Sequence, residues 1–265
     1  FPAVALLEEK RSIQQPLVLL MSRVKNKYPA GFISLTAITL LCTAVYIVTT
    51  VSPVLESWSE HLFGLSSDLS LPSVLWQPFT YAFFHASPLH LFFNLAVIYV
   101  FGRSIVLFGN GRYLLPIFAA GSLSGAFFYI VFYGLMLGRS SLLVGASAGA
   151  LALALATAVS TPKIRVDILG FARMAVIPLT VAVVVLSSVG LAGGNFGGAI
   201  AHLGGIAAGI GAGAIIRRKN TLVNERIAVL RKELDRLRRR IDISGYESLD
   251  ENERQRFIYL SSIFS

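Results

Sequence analysis

Apolar residues are grouped along this chain into six long blocks that are separated by shorter polar segments. The blocks lie at about residues 32–51, 87–108, 113–137, 146–161, 174–192 and 197–216. A helix of about 20 apolar residues is long enough to cross the hydrocarbon core of a bilayer. The pattern therefore predicts an all-α membrane protein with six transmembrane helices. Because five more blocks follow the first one, we interpret it as a span and not as a signal peptide.

The composition agrees with this interpretation. Of the 265 residues, 55% are hydrophobic and 14% are charged, whereas a soluble domain carries about 25% charged residues. The only cysteine, Cys42, lies in the first block, so no disulfide can form within the chain.

Basic residues mark one side of the predicted membrane. Of the 23 lysines and arginines, 22 lie in segments that a six-span arrangement places on one side, and Arg139 lies on the other. Cytoplasmic segments carry the excess of lysine and arginine, so both termini are expected in the cytoplasm. This distribution accounts for the net charge of +9, and no nucleic-acid partner is expected.

The chain divides into three predicted parts: a basic N-terminal cytoplasmic or interfacial segment (1–31), a six-helix membrane domain (32–216) and a basic C-terminal helical tail (217–265). The tail carries an apolar stripe with alternating spacings of four and three residues: Val223, Ile227, Leu230, Leu234, Leu237 and Ile241. We favour a basic helix that lies on the inner leaflet, and self-association through the stripe is the alternative. Gly245 should end this helix, and Ser248 and Glu251 should form a capping box that opens a last one.

Two connections are expected on the outer face of the membrane. The first loop, 52–75, contains Trp58, Leu62 and Phe63 and is expected to lie partly in the membrane interface. The connection 190–198 is rich in glycine and is a candidate cap over a site, since glycine lets it move at low cost.

Two reactive side chains lie inside the apolar blocks. Gly145-Ala146-Ser147-Ala148-Gly149 opens the fourth block, and His202 lies in the sixth. Polar groups within membrane helices are costly and usually functional, and a serine with a histidine is the smallest set for nucleophilic hydrolysis. Ser147 and His202 each precede the predicted inner end of their block by 15 residues, so the constant rise of a helix places them at one depth.

Small residues at every fourth position of the sixth block allow a second helix to approach closely. They are Ala201, Gly205, Gly209 and Gly213. The fourth block is rich in alanine and glycine, and a close contact between the two blocks would bring His202 to Ser147. Without these two side chains, ordinary packing of membrane helices would be the better interpretation.

A third group of polar residues opens the second block. His90 and Asn94 are four residues apart and therefore share one helix face. An imidazole, a buried amide and the backbone N–H of Ser147 could together stabilise an oxyanion. We interpret His85 as structural, Asn94 as functional, and His90 as equally compatible with both. No Asp or Glu lies in any block, so His202 would serve as general base without a carboxylate. We expect neither a metal nor a cofactor.

In these motifs the chain resembles the rhomboid family of intramembrane serine proteases, over residues of about 30–217. The resemblance rests on Trp76-Gln77, His85, His90, Asn94, Gly145-Ala146-Ser147 and Ala201-His202-Leu203-Gly204-Gly205 with Gly209. It implies a six-helix bundle with Ser147 as nucleophile and His202 as base. His90, Asn94 and the Gly145–Ser147 segment would form the oxyanion site, with His85, Trp76, Gly205 and Gly209 as structural residues near it.

The resemblance also implies a location and partners. We expect a multi-pass protein of a bacterial inner (cell) membrane, in contact with membrane lipids, that cleaves transmembrane segments of other proteins. The oligomeric state is left open.

Four positions depart from the family pattern. Gln77 stands where arginine is frequent, Ala148 where glycine is usual, Leu151 where many members have an aromatic residue, and Ile105-Val106 where an acidic residue is expected. None of these removes a catalytic group, so an endopeptidase is the leading hypothesis. A catalytically inactive rhomboid-like protein that binds membrane clients is the alternative. A small-solute transporter is the least favoured, since the two halves show no internal repeat.

Overall fold

The computed structural model of the chain describes residues 27–68, 72–139, 141–188 and 195–264. Its helices are α1 (Lys27–Thr49), α2 (Pro53–Phe63), α3 (Gln77–Thr80), α4 (Pro88–Ile105), α5 (Leu114–Phe128), α6 (Ser147–Ser160), α7 (Val176–Ser188), α8 (Phe196–Ser244) and α9 (Glu251–Phe264). Four short strands form two antiparallel pairs, β1 (Leu65–Ser66) with β2 (Leu142–Leu143) and β3 (Arg165–Ile168) with β4 (Ala172–Ala175). The protein is thus an all-α protein with two small sheets.

Two predicted features lie largely outside the described residues. They are the N-terminal interfacial segment, apart from residues 27–31, and the glycine-rich connection, apart from residues 195–198.

Each predicted apolar block is helical over most of its length. Among the described residues, three helical stretches are long and apolar enough to cross a membrane: Ala30–Thr49, Pro88–Met136 and Phe196–Ser244. Two further apolar helices, α6 and α7, are shorter. The chain is therefore an α-helical membrane protein that crosses the bilayer more than once.

A kink divides the stretch Pro88–Met136 into α4 and α5. Phe108 and Gly109 leave the helical conformation, and Gly109 has a φ of 77°, which glycine adopts without the clash that a Cβ would cause. Beyond α5 the chain continues as a π-helix over Tyr129–Met136.

A serine followed by proline starts both α2 and α4. The Oγ atom of Ser52 accepts a hydrogen bond from the backbone N–H of Leu55 at 3.1 Å, and that of Ser87 accepts one from His90 at 3.2 Å. Serine is a favoured N-cap, and proline suits the first helical position because its missing N–H would have no partner there. The second cap fixes the helical position of His90.

Helix α6 lies at the centre of the first compact unit, Phe1–Ala214. It packs against α4, α5 and α7, and almost all of its residues from Ala148 to Ala158 are buried. Its many alanine residues let the neighbouring helices approach closely, because they leave little side-chain volume between the backbones.

A β-hairpin connects α6 to α7, where the sequence indicated only a polar connection. Leu169 and Gly170 have φ values of 53° and 84°, and the N–H of Phe171 donates to the carbonyl of Ile168 at 2.9 Å. Asp167 stabilises this turn, since its Oδ1 atom accepts a hydrogen bond from the N–H of Gly170 at 2.7 Å.

The second compact unit, Ile215–Ser265, buries the centre of the apolar stripe of the tail within the chain. Leu234 and Leu237 of α8 form a buried cluster with Leu249 and with Leu260 of α9. The stripe is therefore covered by α9 at these positions. The expectation that these two leucines lie on lipid or on a second copy is wrong, because they are buried against α9 and the segment before it.

The cap of α9 lies two residues later than predicted, at Asp250. Gly245 ends α8 as expected, with a φ of 77°. The N–H of Glu253 donates to Oδ1 of Asp250 at 2.8 Å, and the N–H of Asp250 donates to Oε2 of Glu253 at 3.2 Å. The capping box is thus Asp250 with Glu253, since Ser248 belongs to the preceding 3₁₀ turn.

Candidate active site

The two reactive side chains of the apolar blocks meet. Ser147 is the first residue of α6, and His202 lies in the second turn of α8. The Nε2 atom of His202 and the Oγ atom of Ser147 are 2.8 Å apart, which is a normal hydrogen-bond distance. A serine hydroxyl and a ring nitrogen that are 55 residues apart in the chain thus form one pair.

A ladder of glycine residues on α8 holds this pair together. A Cβ atom built on Gly205 would lie 2.3 Å from the carbonyl oxygen of Ala148, and one on Gly209 would lie 2.6 Å from that of Ala152. A Cβ atom on Gly213 would likewise lie 2.9 Å from the carbonyl oxygen of Ala156. Both helices contribute every fourth residue, so their backbones touch along one line. The predicted close contact between the fourth and sixth blocks is confirmed.

A turn precedes Ser147. Gly145 has a φ of 126°, which side chains disfavour, and its N–H donates to the carbonyl of Tyr81 at 3.1 Å. The buried Tyr81 is itself held by a hydrogen bond from its hydroxyl to the carbonyl of Ser122 at 2.7 Å. Because Ser147 opens α6, its backbone N–H has no partner within the helix and is free to face a ligand.

His90 and Asn94 lie beside this turn. A Cβ atom on Gly145 would be 2.5 Å from Cε1 of His90 and 3.6 Å from Nδ2 of Asn94. The side chain of Asn94 is buried, and its Nδ2 atom forms no hydrogen bond with the described residues. A buried amide donor without a partner is costly in an ordinary core. Here it faces the peptide segment that ends at Ser147.

His85 packs against His90. Its ring is buried and stands edge-on to the ring of His90, with the centroids 5.2 Å apart. This contact supports one side of the His90 ring. Both ring nitrogens of His85 form no hydrogen bond with the described residues, so its structural role stays a prediction.

Trp76 and Gln77 anchor the loop that contains α2. The indole Nε1 of Trp76 donates to the carbonyl of Leu62 at 2.7 Å. Gln77 is fully buried, and its Oε1 atom accepts from the N–H of Ser66 at 2.9 Å. Its Nε2 atom donates to the carbonyl of His61 at 3.1 Å and to Oγ of Ser73 at 3.0 Å. The glutamine therefore uses both ends of its amide to hold the loop.

The anchored loop is connected to the segment before Ser147 through β1 and β2. Leu65 pairs with Leu143 and Ser66 pairs with Leu142. Leu143 precedes Ser147 by only four residues. The hydroxyl of Ser67 adds a hydrogen bond to the carbonyl of Arg139 at 2.9 Å. This link could not be predicted from the hydrophobic pattern, because strands of two residues are too short to show a period.

Within the part of the chain that the structure describes, the arrangement is a serine–histidine pair without an acidic partner. The Nδ1 atom of His202 forms no hydrogen bond with the described residues, and Leu151, one turn after Ser147, is buried. Such a pair can transfer a proton from the hydroxyl to the ring and so activate the oxygen as a nucleophile. Nearby donors on His90, Asn94 and the start of α6 can face the negative charge that such an attack creates.

The comparison with known families agrees with this geometry. A family model described as the rhomboid domain matches residues 72–219, which is more than half of the chain. The chain belongs to the rhomboid family. No curated protein matches it. The rhomboid match includes Trp76, His90, Asn94, Ser147 and His202, whereas α1 and α2 precede it and most of the second compact unit follows it.

Proposed function

We propose that this rhomboid protein is a serine endopeptidase that cleaves transmembrane segments of other membrane proteins. The observation that carries the proposal is the 2.8 Å contact between Oγ of Ser147 and Nε2 of His202, inside a bundle of apolar helices. A serine and a histidine kept at this distance by two touching backbones have a geometry that ordinary helix packing does not require.

The proposed reaction begins with neutral His202. Its Nε2 atom takes the hydroxyl proton as the Oγ atom of Ser147 attacks the scissile carbonyl carbon. The resulting oxyanion accepts hydrogen bonds from the Ser147 N–H, from His90 and from Nδ2 of Asn94. His202 then gives its proton to the leaving amine, and the C–N bond breaks to leave an acyl-enzyme. A water molecule, activated by the same ring, hydrolyses this ester and frees Ser147.

Packing replaces the carboxylate of a triad in this proposal. In a triad the acidic residue holds the imidazole in the required orientation. Here Ala201 and Gly205, on either side of His202 in the sequence, are both buried against the neighbouring helices. The backbone of α8 therefore fixes the position from which the His202 side chain extends. We expect a slower enzyme than a soluble serine protease, because no carboxylate among the described residues pairs with His202 to stabilise the imidazolium.

The substrates that fit this site are helices that unwind easily. An intact helix keeps its carbonyls in its own hydrogen bonds, so cleavage requires local unwinding near the membrane surface. Glycine and proline lower the cost of that step. We propose six spans with both termini in the cytoplasm, which places Ser147 and His202 nearer the outer surface, and single-pass proteins with such residues near the outer end of their span as substrates.

A fluorophosphonate probe that labels activated serines tests the enzyme against the inactive alternative. The purified protein in detergent should be labelled at Ser147, and labelling should disappear in Ser147→Ala and in His202→Ala. Ser104→Ala is the matched control, since Ser104 is a buried helical serine that donates only to the carbonyl of Val100. Labelling that survives His202→Ala, or no labelling of the folded protein, would support an inactive client-binding protein.

A further inference from the structure

The turn of the hairpin β3–β4 exposes large apolar side chains on a rigid support. Phe171 is 89% exposed and Leu169 is 43% exposed. The turn itself is fixed by the hydrogen bonds from Phe171 to Ile168 and from Gly170 to Asp167. The opposite face of the hairpin is attached to the bundle, since Val166 is 2% exposed. An exposed aromatic ring on a fixed turn costs free energy in water, because its apolar surface stays hydrated.

The hairpin lies at the ends of the apolar helices that are far from Ser147. It follows the C-terminal end of α6, about 21 Å from Ser147 for a 14-residue helix. It leads directly into α7, whose outward side chains are apolar, and Asp167 binds Arg103 in the last turn of α4 at 3.4 Å. The exposed turn is thus continuous with the apolar surface of the helices and lies where that surface ends.

The two strands and the last turn of α4 place arginine residues near the same turn. Asp167 and Arg173 are directly paired across the strands, so their side chains lie on one face, and Arg165 shares that face because it is two residues from Asp167. Arg103 approaches from α4. Three arginines and a single carboxylate therefore lie at this part of the hairpin and the end of α4, with Arg103 paired to Asp167, and the local charge is positive.

A cavity of about 460 Å³ opens between the hairpin and α4. It is lined by Tyr99, Arg103, Asp167, Leu169 and Gly170. Its volume lies within the range of small-molecule sites, and it is large enough for a phosphate-bearing headgroup. Its lining combines the guanidinium of Arg103 with the apolar side chain of Leu169 from the turn.

We propose that this hairpin is a binding site for an anionic phospholipid. Leu169 and Phe171 enter the boundary between headgroups and acyl chains, and the phosphate is bound by Arg103, Arg165 and Arg173. The combination of an apolar tip and adjacent cations favours a lipid over a soluble phosphate, which would leave Phe171 in water. The inference rests on the protein being a membrane protein and does not depend on its catalytic activity.

Lipid titration tests the charged part of the site. The detergent-purified protein is titrated with phosphatidylglycerol and, separately, with phosphatidylcholine, and bound lipid is counted by native mass spectrometry. The double variant Arg165→Gln/Arg173→Gln should bind phosphatidylglycerol about 25-fold more weakly, at about fivefold for each arginine, with little change for phosphatidylcholine. Arg238→Gln/Arg239→Gln, two exposed arginines of α8, is the matched control and should bind like the wild type.

An unchanged affinity in the hairpin variant would overturn the proposal. So would an equal loss in the control, since binding would then follow total charge and not this site. Both double variants replace exposed side chains, so thermal unfolding should confirm that each remains folded.

Spin labelling tests the position of the apolar tip. Phe171→Cys in a Cys42→Ala background is labelled and placed in nanodiscs that hold one copy each, which excludes protection by a second copy. Collisions with oxygen should exceed those with a water-soluble nickel chelate by at least about threefold. A label at Ile243→Cys, where the side chain is 84% exposed, gives the collision rates of an exposed position. Nickel access at position 171 that equals or exceeds oxygen access would overturn the proposal.

Discussion

Gly145 shows how one residue sets the geometry beside Ser147. Its φ of 126° is disfavoured for any residue with a Cβ, and the space that a Cβ would occupy is filled by the ring of His90. The residue therefore meets two requirements at once, a backbone conformation and the absence of a side chain.

Gly145→Ala should reduce fluorophosphonate labelling of Ser147 by at least about 100-fold, the usual effect of losing one oxyanion donor. The new methyl group must displace His90, and the turn must rotate. Gly138→Ala is the control, because Gly138 also has a positive φ, 61°, but nothing lies within 4 Å of its missing Cβ. Gly138→Ala should therefore lose only the stability that corresponds to the backbone strain of an alanine at a positive φ. Equal labelling of the two variants would show that His90 does not need its present position.

Asn94→Ala separates function from stability at a second residue. The Nδ2 atom of Asn94 has no hydrogen-bond partner among the described residues, so its removal leaves no other polar group unsatisfied. Labelling and cleavage should fall about 100-fold, while the melting temperature stays the same or rises. Ser104→Ala removes a buried hydroxyl from the same helix as a control. A melting temperature that falls by many degrees in Asn94→Ala would indicate a structural role instead.

At the scale of whole elements, the contact between α6 and α8 decides whether the site exists. The two backbones are so close that no side chain fits between Gly209 and Ala152. Association of membrane helices depends on such close packing, because lipid removes the hydrophobic driving force between them.

Gly209→Val should therefore separate the helices and abolish labelling, with a lower melting temperature in detergent. Gly211→Ala is the matched control, since it lies two residues away in the same helix and has nothing within 4 Å of its missing Cβ. Alanine is favoured over glycine in a helix by about 1 kcal/mol, so this control should melt at the same or a higher temperature. A Gly209→Val protein that is labelled normally would contradict the importance of the contact.

Which elements were predictable depends on how they are encoded. The helices were predictable because each is a long apolar block. The contact between α6 and α8 was predictable because its glycines repeat every fourth residue. Asn94 stood out as an amide within hydrocarbon. Gln77 was predicted only as a departure from the family, since the three groups that it binds become neighbours of its amide only after folding. The hairpin β3–β4 left a weak signal in the alternation of Arg165, Val166, Asp167 and Ile168.

At the scale of the whole molecule, the chain forms two compact units with different kinds of stabilisation. The first is built from apolar helices that touch through small residues. The second has a small leucine core and ion pairs such as Arg256 with Glu233, at 3.0 Å. These units should therefore respond separately to local damage.

Leu260→Ala tests this separation. Leu260 is fully buried in the core of the second unit, and such a substitution costs about 2–5 kcal/mol. We expect rapid proteolysis around residues 245–264 and an unchanged rate of fluorophosphonate labelling at Ser147. Ile258→Ala, in the same helix but 59% exposed, should resist proteolysis like the wild type. A fall in labelling with Leu260→Ala would show that catalysis depends on the second unit.

The glycine ladder also limits how this sequence can evolve. When a residue in a packed core grows, its neighbour across the interface can usually shrink to compensate. Gly205, Gly209 and Gly213 have no smaller amino acid to which they could change, so growth at Ala148, Ala152 or Ala156 has no available remedy. Outward positions on the same helix, such as Leu203 and Ile210, have no such restriction. Divergent descendants of this protein should therefore keep small residues at every fourth position of this interface, while the outward apolar residues vary.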